Sequence, residues 1–147
     1  MDCEQIKQGI TEFLTESHLP ILNPDFPISG YQVFTAFRSH GVRLGVQMRF
    51  CSDRKVIAMI VYFPNQEPIE RDKYCFQILN AFYAKILLSH FVFLREGGGI
   101  TLRSGYVLVD GKFDKRKFKE HFHQIVHDAV NYYPQLMKML TERSAKV

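Results

Sequence analysis

The stretch VRLGVQMRF, residues 42–50, decides how this chain is read. Val42, Leu44, Val46, Met48 and Phe50 alternate without a break against Arg43, Gly45, Gln47 and Arg49. A strict period of two puts each set on its own side of a β-strand, so the apolar five are expected to point into the core and the others to face water. On either side lie YQVFTAFR (residues 31–38) and KVIAMIVYF (residues 55–63), joined to it by Ser39-His40-Gly41 and Cys51-Ser52-Asp53-Arg54. Both connectors are short and polar enough for hairpin turns, which predicts a three-stranded antiparallel meander. KVIAMIVYF is apolar on both faces and should be the most covered of the three.

Working outward, the period changes to that of a helix. Upstream, Ile6, Ile10, Phe13 and Leu14 share one helical face, Asp2 can accept from the first amides and Gln5 has capping-box spacing, so a helix should run from about Cys3 to about Ser17. The three prolines of HLPILNPDFPISG then impose a loop, with Ile21, Leu22 and Phe26 pinning it to the body. Downstream, PNQEP breaks the sheet, and Tyr74, Cys75, Ile78, Leu79, Phe82 and Ile86 recur at steps of one, three and four in a helix reaching about Ser89. FVFLRE and ITLRSGYVLVDG flank Gly97-Gly98-Gly99 as a second hairpin. Asp114 can cap a last helix whose inner stripe is Phe118, Phe122, Ile125, Ala129 and Tyr133, with Pro134 kinking or ending it and QLMKML making a short extra turn. The fold class is therefore α+β, ordered α-βββ-α-ββ-α, with a five-stranded twisted antiparallel sheet and three helices.

A chain of 147 residues with 46% hydrophobic and 23% charged residues and no low-complexity tract is expected to be one ordered domain, residues 1–147. Thirteen Phe and seven Tyr without Trp give a core built on aromatic bulk, with rings to spare for an exposed sheet face or an interface. Cys3, Cys51 and Cys75 are odd in number and widely spaced, which suits reduced thiols in a cytosol better than a disulfide framework or a zinc ribbon. MDCEQIKQGITEF lacks the apolar centre of a signal peptide, and no run reaches the length of a membrane span, so a soluble cytoplasmic protein is expected. A net charge of +4 permits an anionic partner without requiring one.

The chemistry-bearing residues give no recognisable reaction. The glycine triplet lies between strands, where neither a Walker loop nor a dinucleotide fingerprint belongs. His123 and His127 stand four apart with Glu120 one turn before, a spacing that can grip a metal, yet Phe122 and Ile125 define the buried stripe and turn both imidazoles to the polar side. Cys75 lies on a helical stripe as a small core residue, and Asp114 is explained as a cap, with Asp110 across the turn. No catalytic residue, cofactor or metal is expected. Lys112, Lys115, Arg116, Lys117 and Lys119 open the last helix, where cations oppose the helix dipole, and together with Arg43 and Arg49 they are the candidates for an anion or nucleic-acid surface.

The element order, and the ending GYVLVDGKFDKRKFKEHFHQIVHDAVNYYPQL with its Tyr133-Pro134-Gln135-Leu136, resemble the type III secretion chaperone-like fold and, within it, the bacterial YbjN-type domains. Many members are acidic and this chain is basic. The resemblance implies a non-enzymatic homodimer that binds another polypeptide. Tyr83 and Leu87 on the middle helix, with Arg43 and Arg49 on the wet sheet face, are the expected partner contacts. Nucleic-acid binding through Lys115, Arg116, Lys117 and Lys119 is the alternative.

Overall fold

The computed structural model describes residues 3–22, 31–39, 41–50, 55–63, 73–86, 88–93 and 99–145. The elements follow the order α1 (Cys3–Glu16), β1 (Gln32–Ser39), β2 (Val42–Arg49), β3 (Val56–Tyr62), α2 (Lys73–Lys85), β4 (Ser89–Phe93), β5 (Ile100–Val107) and α3 (Lys115–Ala145). All strands join one antiparallel sheet in the order β1-β2-β3-β5-β4, which puts the doubly apolar β3 at its centre. Ser39 pairs with Val42, and Gly41 in the connection between them takes a positive φ of 79°, as tight hairpin loops demand.

The pairing registers sort the strand residues into two faces. Val33, Leu44, Val46, Met48, Ile57, Met59, Val61, Phe91, Ile100, Leu102 and Tyr106 share one face and belong to one buried cluster with residues from all three helices. Phe13 of α1 meets Phe118 and Phe122 of α3 edge-on at 5.2 Å, Tyr106 of β5 meets Phe118 at 5.5 Å, and Phe82 of α2 meets Phe91 of β4 at 5.9 Å. Ala36 and Ile60, on the other face, are buried but stand outside that cluster. The molecule is thus two layers, with the helices on one side of the sheet.

The capping reading of Asp114 holds: its Oδ1 accepts from the Lys117 amide at 3.1 Å, and its carbonyl accepts from the Phe118 amide at 2.9 Å. Gly9, inside α1, lies where an added Cβ would come within 2.5 Å of the Phe113 ring, so close approach of that ring explains a glycine in a helix interior. Asp2 and Phe26 lie outside the described residues, as do Gly97 and Gly98. Ile21 is partly buried against the core, whereas Leu22 is exposed, its amide donating to the Phe34 carbonyl at 2.8 Å.

Six expectations need correction. Gln47, expected to face water, is 3% exposed and tied to Tyr62 and Gln32, and α2 stops at Lys85, with Ser89 opening β4 instead of closing the helix. Val42 shares the face of Leu44 but is 44% exposed, because that end of the sheet borders an apolar cavity of about 480 Å³ between the β1–β2 hairpin and α3, lined also by Phe63, Tyr133 and Pro134. Tyr74 is exposed, since the buried line of α2 runs through Cys75, Leu79 and Phe82 and continues to Ile86, with Tyr74 beside it. Pro134 does not end the last helix, which runs on to Ala145. Fully burying Leu136 and Leu140 stabilises by about 1.5–3 kcal/mol each, which offsets the roughly 3 kcal/mol cost of an internal proline. Cys3 is disulfide-bonded, against the expectation of three reduced thiols, and Cys75 is a free buried thiol. The start of α1 is held against the open end of the β1–β2 pair, where the Tyr31 hydroxyl donates to Glu4 at 3.1 Å and the Phe50 amide donates to the Tyr31 carbonyl at 3.1 Å. No helix among the described residues is long and apolar enough to cross a membrane.

Candidate partner-binding surfaces

Among the described residues no helix covers the second face of the sheet. The one helical side chain seen to reach it is Tyr83, whose ring stacks at 5.9 Å on His90 at the β4 edge. The strands contain no Asp or Glu, and their four arginines, Arg38, Arg43, Arg49 and Arg103, all fall on this face by register. Arg38 and Arg43 are directly opposed across the β1–β2 pair, both exposed, an arrangement of like charges that destabilises a sheet. Between the arginines, Tyr62 donates to Gln47 Oε1 at 2.7 Å and the Gln47 amide donates to Gln32, a ladder that spans three strands. Arg103 Nε donates to Thr101 Oγ1 at 3.2 Å, and Thr101 in turn donates to the Val92 carbonyl at 3.0 Å. Relief is low in the middle, where Ala36 faces Gly45 and Ala58 faces Gly105.

A rim of exposed rings lies along α2, and of these Tyr83 reaches this face. Tyr74, Phe76 and Tyr83 are all about half exposed, and Leu88, just beyond the helix, is 59% exposed. Phe76 reaches Phe93 edge-on at 6.1 Å, and Phe93 pairs with Ile100 on the helical side of the sheet, so this ring belongs to the covered face. His90 titrates below its ordinary value of 6.5, first through burial and then through the nearby Arg103 charge. Of the two expected contacts on the middle helix, Tyr83 sits in this rim, and Leu87 lies outside the described residues.

The basic run is placed elsewhere. Lys115 is paired with Glu16 at 2.7 Å, which raises its pKa, and Arg116 lies 3.6 Å from Glu120 one turn on. Lys117 and Lys119 are exposed. All four belong to α3, in the helical layer, whereas Arg43 and Arg49 point away from it, so the two sets do not form one surface.

Beneath α3 runs a buried polar network that the sequence reading missed. Asp128, 4% exposed, accepts from Ser89 Oγ at 2.8 Å and from Gln124 Nε2 at 3.0 Å. Ser104, the cross-strand partner of Ser89, donates to the Leu88 carbonyl at 2.8 Å and lies 2.7 Å from His121 Nε2. With the hydroxyl proton committed to that carbonyl, His121 is the donor, a geometry that positions rather than activates the serine. Burial lowers the His121 pKa below its ordinary value, because desolvation disfavours the charged imidazolium. The available signal was the spacing of His121, Gln124 and Asp128 on one side of α3, together with Ser104 at an inward position of its strand. His123 and His127 are exposed, with His127 bonded to Asn131 at 2.8 Å. Among the described residues no three His, Cys, Asp or Glu side chains cluster as a metal site.

Comparison with solved structures finds a chain in the crystal structure of the ExsC-ExsE complex that superimposes with a TM-score of 0.66, covering 92% of this chain and 97% of that one at 16% identity. The fold is type III secretion chaperone-like. No protein-family model matches the chain, and no curated protein does.

Proposed function

We propose that this protein is a non-enzymatic, chaperone-like or regulatory module that binds another polypeptide and acts as a homodimer. The observation that carries the reading is a sheet face that no described helix covers, with the exposed ring of Tyr83 at its β4 edge, since aromatic side chains are the usual anchors of protein interfaces. The ExsC-ExsE structure supports it, as that neighbour was crystallised as a complex of two named components. Tyr83, exposed beside the edge strand, and Leu87 are the contacts assigned to the dimer, and the sheet face with Arg43 and Arg49 is assigned to the partner. A YbjN-type affinity within the fold rests on Tyr133-Pro134-Gln135-Leu136, in which Tyr133 stacks on Phe63 at 3.7 Å and Leu136 is fully buried. A bacterial cytoplasmic setting is part of the same proposal.

Light scattering at micromolar concentration tests the dimer: a mass of twice 17.2 kDa is expected, reduced to one chain by Tyr83→Asp, because two carboxylates would be carried into an apolar contact. A monomer mass for the unmodified protein refutes it. Affinity capture from the native cell should retain a polypeptide, whereas retention of nucleic acid with a steep salt dependence would replace this reading by the one based on the α3 cations.

A further inference from the structure

Resting on that reading, we propose that the helix-free face of the sheet takes an acidic, extended segment of the partner polypeptide. The argument is charge complementarity. Four arginines and His90 occupy this face, and the strands supply no carboxylate to any of them. The directly opposed Arg38 and Arg43 work against pairing of their own strands, so the local sheet gains nothing from them. An anion lying over the pair would turn that repulsion into two charge-assisted hydrogen-bonding sites, and a guanidinium binds a carboxylate in the two-pronged way that suits a side chain of Asp or Glu.

Geometry favours a peptide over a nucleic acid. Arg43 and Arg49 lie at opposite ends of β2, six residues apart, and therefore about 20 Å along a strand rising about 3.3 Å per residue. An extended peptide has the same rise and can set acidic side chains against both ends. A single-stranded nucleic acid needs a continuous cationic track and free rings for its bases. Here Phe34 and Tyr62 are only partly exposed, the Tyr62 hydroxyl is tied to Gln47, and the α3 cations that would extend a track face the other layer. Gly45 has no atom within 4 Å of where its Cβ would stand, which leaves the centre of the face open to a close-lying backbone.

The test is fluorescence anisotropy with a short labelled peptide of alternating Glu and Ser, compared with a Lys and Ser peptide and with a labelled single-stranded oligonucleotide. The Glu peptide should bind, more weakly as salt rises. Arg38→Gln/Arg43→Gln/Arg49→Gln/Arg103→Gln should weaken it by at least about tenfold, since rim-type charge contacts add up across several sites. Lys115→Gln/Lys117→Gln/Lys119→Gln should bind like the unmodified protein. Should the fourfold variant fold poorly, Arg43→Gln/Arg49→Gln is read instead, and Arg38→Glu/Arg43→Glu should shift preference toward the Lys peptide. No preference for Glu over Lys, binding untouched by the arginine changes, or tighter binding of the oligonucleotide overturns the proposal. If the native polypeptide is captured equally well by the arginine variants, the acidic-segment inference falls while the polypeptide-binding reading stands. If no polypeptide is captured although the Glu peptide binds through the arginines, the reverse holds.

Discussion

Replacing Ser89 with Ala should destabilise the protein by about 1.5–3 kcal/mol, the value of a buried hydrogen bond to a charged group. Ser89 and Asp128 are both 4% exposed, their bond is 2.8 Å, and the carboxylate's other neutral donor is Gln124 at 3.0 Å, so water cannot easily replace the lost hydroxyl. In an Asp128→Asn background the amide oxygen can still accept from Ser89, and the same Ser89→Ala change should cost only the roughly 0.5–1.5 kcal/mol of a neutral bond. The difference, about 1 kcal/mol, is the part due to charge, and a double-mutant cycle isolates it. Urea unfolding at constant pH supplies all four stabilities, provided the slopes agree. Equal losses in the two backgrounds, or a loss below about 0.5 kcal/mol for Ser89→Ala, would refute the inference that this bond ties the edge strand to α3. The outcome bears on function, because β4 and the α2 rim are held in place through Ser89 and the neighbouring Leu88 carbonyl.

Thr35 is 1% exposed and its hydroxyl has no hydrogen-bond partner, so Thr35→Val should raise stability by about 1 kcal/mol in urea titrations; a loss would mean that the hydroxyl is satisfied after all. His121 and His90 both titrate below 6.5 in the folded protein, so below that pH the unfolded chain binds more protons; stability should be full above about pH 6.5 and fall as pH drops toward the folded values. Unfolding midpoints that do not change between neutral and mildly acidic pH in the unmodified protein, or that change equally in His121→Gln, would contradict this. His123→Gln/His127→Gln should alter stability by less than about 1 kcal/mol, and calorimetric titration with zinc should show no tight site for the pair to lose.

What the sequence discloses here is local. The unbroken alternation of residues 42–50 gives β2 and the side of the sheet on which Arg43 and Arg49 stand, because side-chain direction follows from period alone. The stripes of α1 and α3 likewise yield Ile10, Phe13, Phe118, Phe122 and Ile125 as core. Period fails where tertiary context decides. Val42 has the right parity, but its exposure depends on how far α3 covers the sheet. Tyr74 keeps helical spacing, yet one step of rotation takes it off the buried line of α2. Ser89 and Asp128 are 39 residues apart, and no local pattern links a strand's first serine to a helix aspartate. Cysteine spacing likewise does not give the disulfide at Cys3.

The two sides of the sheet obey different rules, and the contrast is itself evidence. On the helical side nearly every local choice agrees with the fold: apolar alternation, capped helix, ring against ring. On the other side the exceptions gather: opposed arginines, a glycine at Gly45 inside a strand, and a ring at Tyr83 spent on a partly buried histidine. Like charges opposed across strands cost about 0.2–1 kcal/mol, and a strand glycine costs about 0.5–1 kcal/mol against alanine. A chain that accepts such costs on one face, while the other supplies the stability, shows where its sequence answers to something besides folding. Because the arginines lie on the face opposite the buried cluster, binding and stability on this scaffold can be changed separately, which is what makes the sheet face testable by substitution.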